Sequence, residues 1–237
     1  MAWQNLETAH GMIAAEAPAA ARVSFVRKTY FHLGGAVLAF IAIEAALLGS
    51  PLAAPIVRTF LGGRMSWLVV LGAFMLVGWV AERWARSAAS PAMQYLGLGL
   101  YVVAEAIIMV PLLYVAAHYA KDPNIIPTAG ILTGLIFTGL TGTVFLTRHD
   151  FSWLRPALVI AGFAALGLIV ASILFGFSLG MLFAAVMVAV AAGYILYYTS
   201  NVLHHYPIGA HVSAALALFA AVALLFWYLL QLLMHRR

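Results

Sequence analysis

Seven long apolar stretches, separated by short polar breaks, run through this chain and leave it little choice of fold. They fall at about 31–49, 66–82, 92–117, 125–146, 157–175, 178–199 and 210–234. A helix needs about 20 mostly apolar residues to cross the hydrocarbon core of a bilayer. Each stretch is close to that length. Of the 237 residues, 65% are hydrophobic and 8% are charged. A water-soluble domain of that size cannot cover its surface with so few charges. The expectation is an all-α fold: a polytopic membrane bundle of seven transmembrane helices, with the lipid bilayer as its first partner. Residues 1–25 read as a polar N-terminal tail, and 26–237 as a single transmembrane domain, because no connection has room for a second one.

The breaks are legible. Ser50-Pro51 and Ser90-Pro91 interrupt helices, and Asp122-Pro123-Asn124 is turn chemistry. The link over 176–180 is so short that the fifth and sixth spans form an antiparallel hairpin. Basic residues set the orientation. With the N-terminus inside, the inner segments carry Arg22, Arg27, Lys28, Arg83, Arg86, Arg148 and Arg155. The outer segments carry Arg58, Arg64, Lys121, Arg236 and Arg237. The cluster directly before the first span favours a cytoplasmic N-terminus.

Several functions drop out early. The chain has no cysteine, so disulfides, thiolate metal sites and thiol nucleophiles are excluded. The basic residues are scattered singly through loops, which is a topology signal and not a nucleic-acid surface. A retinal Schiff base needs a lysine within a span, and Lys28 and Lys121 both lie in polar segments. Gly176-Phe177-Ser178-Leu179-Gly180 matches G-x-S-x-G, but that nucleophile elbow needs a strand-to-helix turn. Here it joins two membrane helices. The histidines, His10 apart, fall near span ends, where an interfacial polar role is expected over ligation of a haem or metal. No catalytic residue, cofactor or metal is expected.

Charges inside a bilayer are costly and mark functional candidates. Two acids qualify. Glu105 lies near the middle of the third span and Glu44 lies toward the far end of the first. No Lys or Arg sits at matching depth, so each is a candidate proton- or cation-binding position. In the sixth span Tyr194, Tyr198 and Asn201 follow at i, i+4 and i+7 and share one polar face. Tyr197 and Tyr198 suit an aromatic belt at the water line, as do Trp67, Trp153, Trp227 and Tyr228. In the fourth span Gly130, Gly134, Thr138 and Gly142 recur every four residues. That face is expected to pack closely against another helix.

Three stretches carry a resemblance: "VRKTYFHLGGAVLAF" at 26–40, "GLTGTVFLTRHDFSWL" at 139–154 and "GYILYYTSNVLHHY" at 193–206. Together they resemble the Bax-inhibitor (TMBIM) family, in its bacterial YccA-type branch. The resemblance implies a Bax-inhibitor-like bundle with the last helix central. It also implies two functional pictures. One is a pH-sensitive calcium leak gated by an aspartate on each of the last two spans. The other is association with the membrane protease FtsH. The family's I-L-Y-D pattern falls on Ile195-Leu196-Tyr197-Tyr198, so Tyr198 replaces the first aspartate. The second position falls near Ala221, where there is no acid. The usual proton switch is therefore missing. The expectation is a non-enzymatic protein of the bacterial inner membrane that acts through contacts with a membrane protein complex, an FtsH-type protease or another large assembly. The alternative is a calcium or proton leak using Glu105, with or without Glu44.

Overall fold

The computed structural model of the protein describes residues 11–87 and 90–235. His10, Arg236 and Arg237 lie outside the described residues. Among the described residues eight helices follow one another: α1 Ala19–Leu48, α2 Ala53–Leu61, α3 Arg64–Ala85, α4 Pro91–Tyr119, α5 Ile125–Thr147, α6 Leu154–Phe175, α7 Gly180–His204 and α8 His211–His235. All except α2 are long and apolar enough to cross a membrane. They run alternately up and down. The end where α1 begins is called the N side below.

The breaks have clear physical causes. Ser90 caps α4 by accepting a hydrogen bond from the Met93 N–H at 3.4 Å, with Pro91 at the first helical position. The Asp122 carboxylate accepts from the Asn124 N–H at 2.9 Å, which turns the chain into α5. Gly176 ends α6 with φ +78°, a conformation glycine adopts without steric cost. Its N–H donates to the Ser172 carbonyl at 2.8 Å, and the chain doubles back into α7. G-x-S-x-G is here a hinge between antiparallel helices.

Two helices form the centre. In α8, 50% of the most apolar stretch is buried, and in α4 56%, against at most 22% in the other spans. The last helix packs against α1, α3, α4, α5 and α7. Its central place is as expected, and α4 shares it. One glycine makes the α3–α4 contact possible. A Cβ on Gly97 would lie 2.5 Å from both the Ala81 carbonyl oxygen and the Ala85 nitrogen. Only the absence of a side chain lets the two backbones approach this closely.

Three expectations are corrected. The first helix begins at Ala19, twelve residues before the expected span, because Ala19, Ala20 and Ala21 favour helix and Arg27 and Lys28 can extend to water. The face bearing Gly130, Gly134, Thr138 and Gly142 is not packed against another helix. A Cβ on any of its three glycines would meet nothing within 4 Å, and Thr138 is exposed. The face that α5 buries holds Ile125, Ala129, Thr133 and Val144, whose larger side chains fill the space beside α4 and α8. Tyr228 is no water-line anchor. It lies in the core against Phe183, with ring centroids 5.9 Å apart.

Candidate functional site

Glu44 and Glu105 both point inward. Their residues are 5% and 7% exposed, on neighbouring helices α1 and α4. They are close enough for their charges to interact. Neither makes an ion pair with a described residue. Both Glu44 carboxyl oxygens are buried without a hydrogen-bond partner. The Tyr101 hydroxyl lies within interaction range of the Glu105 carboxyl. Tyr101 was missed, although its signal is in the sequence: it precedes Glu105 by one helical turn and so shares its face.

Below this pair, at the N side, a half-open cavity of 780 Å³ lies among the ends of α3, α4, α6, α7 and α8. Tyr194, Tyr198 and Asn201 line it together, with Tyr197, Tyr206 and Arg86. The Tyr194 and Tyr198 rings stack 5.8 Å apart with their planes 17° from parallel. The Tyr194 hydroxyl donates to the Leu158 carbonyl at 3.0 Å, pinning α7 to α6. Tyr197 and Tyr198 therefore wall a cavity, where an interfacial belt was expected. Burial pushes the Tyr206 phenol up to about 12, with Arg86 acting in the opposite direction. Tyr206 stays neutral at any physiological pH.

The polar groups follow one another in depth. Tyr198 is within electrostatic reach of Tyr101, and Tyr101 of Glu105. The order from the N side is cavity, Tyr198, Tyr101, Glu105, Glu44. A second polar group lies nearby: the buried Tyr30, Thr141 and Thr199 hydroxyls have no hydrogen-bond partner within 3.5 Å, although they face one another.

The family's aspartate positions are also neighbours. Ala221 is buried in a cluster with Ala191 and Ile195, and Tyr198 and Tyr194 pack on it. Tyr198 and Ala221 thus belong to one packed cluster, and neither position carries an acid. Asp150, at the end of the T-x-x-D stretch, has a separate job. It accepts from the Ser200 hydroxyl at 3.1 Å and contacts His205 Nε2 at 2.9 Å. The Ser200 oxygen in turn accepts from the Phe151 N–H at 2.9 Å. Asp150 thus ties the α5–α6 loop to the end of α7. Among the described residues no group of three or more His, Asp or Glu could hold a metal.

A bundle of seven apolar spans around two buried helices defines a multi-pass α-helical membrane protein. A family model described as "Inhibitor of apoptosis-promoting Bax1" matches residues 22–237. The chain belongs to the Bax inhibitor-1 family. An uncharacterized protein of Pseudomonas aeruginosa is 30% identical over 123 residues, which cover 52% of this chain and 55% of that protein. The match thus spans about half the length of that relative. No solved structure matches the chain.

Proposed function

We propose that the protein is a pH-sensitive leak for protons or calcium across the bacterial inner membrane, with Glu44 and Glu105 as its intramembrane carboxyl pair. One observation carries the reading: two buried carboxyls on adjacent helices lie within electrostatic reach of each other, with no basic partner among the described residues. Two negative charges buried together are neutralised either by protons or by a passing cation. Calcium prefers six to eight oxygen ligands. Two carboxylates fall short of that, which suits passage and not retention. Tyr101 and Tyr198 link the pair to the N-side cavity. No covalent chemistry is needed, and the protein acts without being an enzyme.

The N side faces the cytoplasm in this reading. Arg22, Arg27, Lys28, Arg83, Arg86, Arg148 and Arg155 lie at that end. Basic residues concentrate on the cytoplasmic side of membrane proteins. The chain lacks cysteine, so single cysteines placed in each loop report sidedness directly. The leak itself is tested in proteoliposomes. Calcium and proton flux should depend on pH and fall to the protein-free level on Glu105→Gln. Flux unchanged by that substitution removes Glu105 from the mechanism.

A second reading rests on α5. Its small-residue face, Gly130 to Gly142, has no occupant within the bundle. Such faces let a membrane helix approach closely. This favours docking on a membrane complex, such as an FtsH-type protease. Affinity purification in mild detergent tests it, and recovery without a stoichiometric partner counts against it.

A further inference from the structure

A second cavity, of 700 Å³, lies at the N side on the outer wall of the bundle. Arg22 and Arg27 of α1, Arg148 at the end of α5 and His204 of α7 line it, and no carboxylate does. Its other walls include Val23, Val26, Phe145 and Leu203. Val23 is 66% exposed, so the apolar wall continues onto the outer surface of the bundle. The cavity is therefore cationic at one end and greasy at the other, at the depth where the spans end.

The three arginines are not equivalent. The Arg22 side chain is fixed by donating to the Ala14, Ala15 and Ala17 carbonyls at 2.8, 2.9 and 3.2 Å. Its charge is held in place by the N-terminal segment. The Arg27 and Arg148 guanidinium groups make no ion pair among the described residues. Arg148 also has φ +52°, the left-handed conformation that larger side chains disfavour. Basic residues that only set topology need not gather from separate helices onto one cavity. Three positive groups without an acid repel one another unless an anion lies between them.

We propose that this cavity binds the phosphate of an anionic phospholipid, with the acyl chains lying along Val23, Val26 and Phe145. Basic pockets between membrane helices at this level are suited to acidic headgroups. The occupant is a lipid and not soluble phosphate because Val23, Val26, Phe145 and Leu203 line the cavity beside the basic groups, and a free phosphate has no apolar part to lay along them.

The test is native mass spectrometry of the full chain in mild detergent, titrated with phosphatidylglycerol, phosphatidylcholine or inorganic phosphate. Phosphatidylglycerol should be retained in preference to phosphatidylcholine, and rising salt should weaken its binding alone. Each basic side chain near an anionic surface contributes about fivefold, so Arg27→Gln with Arg148→Gln should weaken binding roughly 25-fold. The charge-preserving pair Arg27→Lys and Arg148→Lys should retain most of it, and Arg58→Gln at the opposite end should change nothing. Equal retention of both lipids, salt-indifferent binding, or a double glutamine variant that binds like the wild type would overturn the proposal. Displacement of phosphatidylglycerol by an equal concentration of inorganic phosphate would also overturn it, by assigning the cavity to a soluble anion.

Discussion

The interior of the bundle has two polar regions of opposite character. Between α1 and α4 lie two carboxyls, Glu44 and Glu105, with Tyr101 beside them. Between α7 and α8, where the family resemblance expects a pair of acids, Tyr198 packs against the apolar cluster that holds Ala221. The first region can change charge, whereas the second offers a phenol and a methyl group. An acid pair can therefore occupy the core of this fold on different helices from those of the family pattern. What defines such a site is two buried carboxyls within reach of each other and no base beside them among the described residues, and not the helix that carries them.

The largest expected effect separates the two regions. Glu44→Gln with Glu105→Gln should reduce flux to the level of protein-free liposomes, while Tyr198→Phe, which removes a linking hydroxyl but no charge, should lower it only in part. The reverse pattern would relocate the site to α7 and α8. Stability should move differently. Both Glu44 oxygens are buried without partners, so Glu44→Met should raise stability by about 1–3 kcal/mol, the cost of an unsatisfied buried group. Thermal unfolding in detergent measures this, and a variant less stable than the wild type would show that the carboxyl is satisfied. Gly97→Ala should lower stability by about 1–3 kcal/mol, because the added methyl meets backbone on α3. Gly134→Ala, with nothing near its Cβ, should be neutral or raise stability by up to about 1 kcal/mol through helix propensity. Equal effects at the two glycines would contradict the packing described.

The same contrast shows what the sequence could and could not reveal. The seven spans follow from the length and apolarity of the runs, which the bilayer alone dictates. Glu44 and Glu105 stand out because a charge in a span is rare. Their mutual approach was not legible, because it depends on how α1 lies against α4, and no spacing within one helix encodes that. The regular spacing of Gly130, Gly134, Thr138 and Gly142 pointed to a packed face, yet the packed glycine is the isolated Gly97. Periodicity shows that residues share a face but not which way the face turns. Tyr198 was read as a water-line anchor because the sequence gives depth without the surrounding cavity. Helix α2 escaped notice because nine residues are too few for a span.

The smallest expected effect lies at the edge of the hydroxyl region, where an acid does occur. Asp150 holds the end of α7 through Ser200 and His205. Partial burial, the largest single influence, raises its pKa, but the hydrogen bonds from Ser152 and His205 and the His205 charge together outweigh this and hold the carboxyl at about 2, below the ordinary 3.8. A depressed acid binds fewer protons folded than unfolded, so stability rises with pH across that window. The contribution is fully present above about pH 4 and is lost as pH falls toward about 2. The Asp150 side chain is 44% exposed, so solvent screens the interaction. Asp150→Asn should therefore cost only about 0.2–1 kcal/mol near neutral pH. The wild type and the variant should converge as the pH approaches 2. Melting curves of both proteins between pH 2 and pH 7 check this. A gap that persists at the acid end would mean that Asp150 works by shape and not by charge. The α7 end would then be held by packing alone, leaving Glu44 and Glu105 as the acids whose charge matters to this bundle.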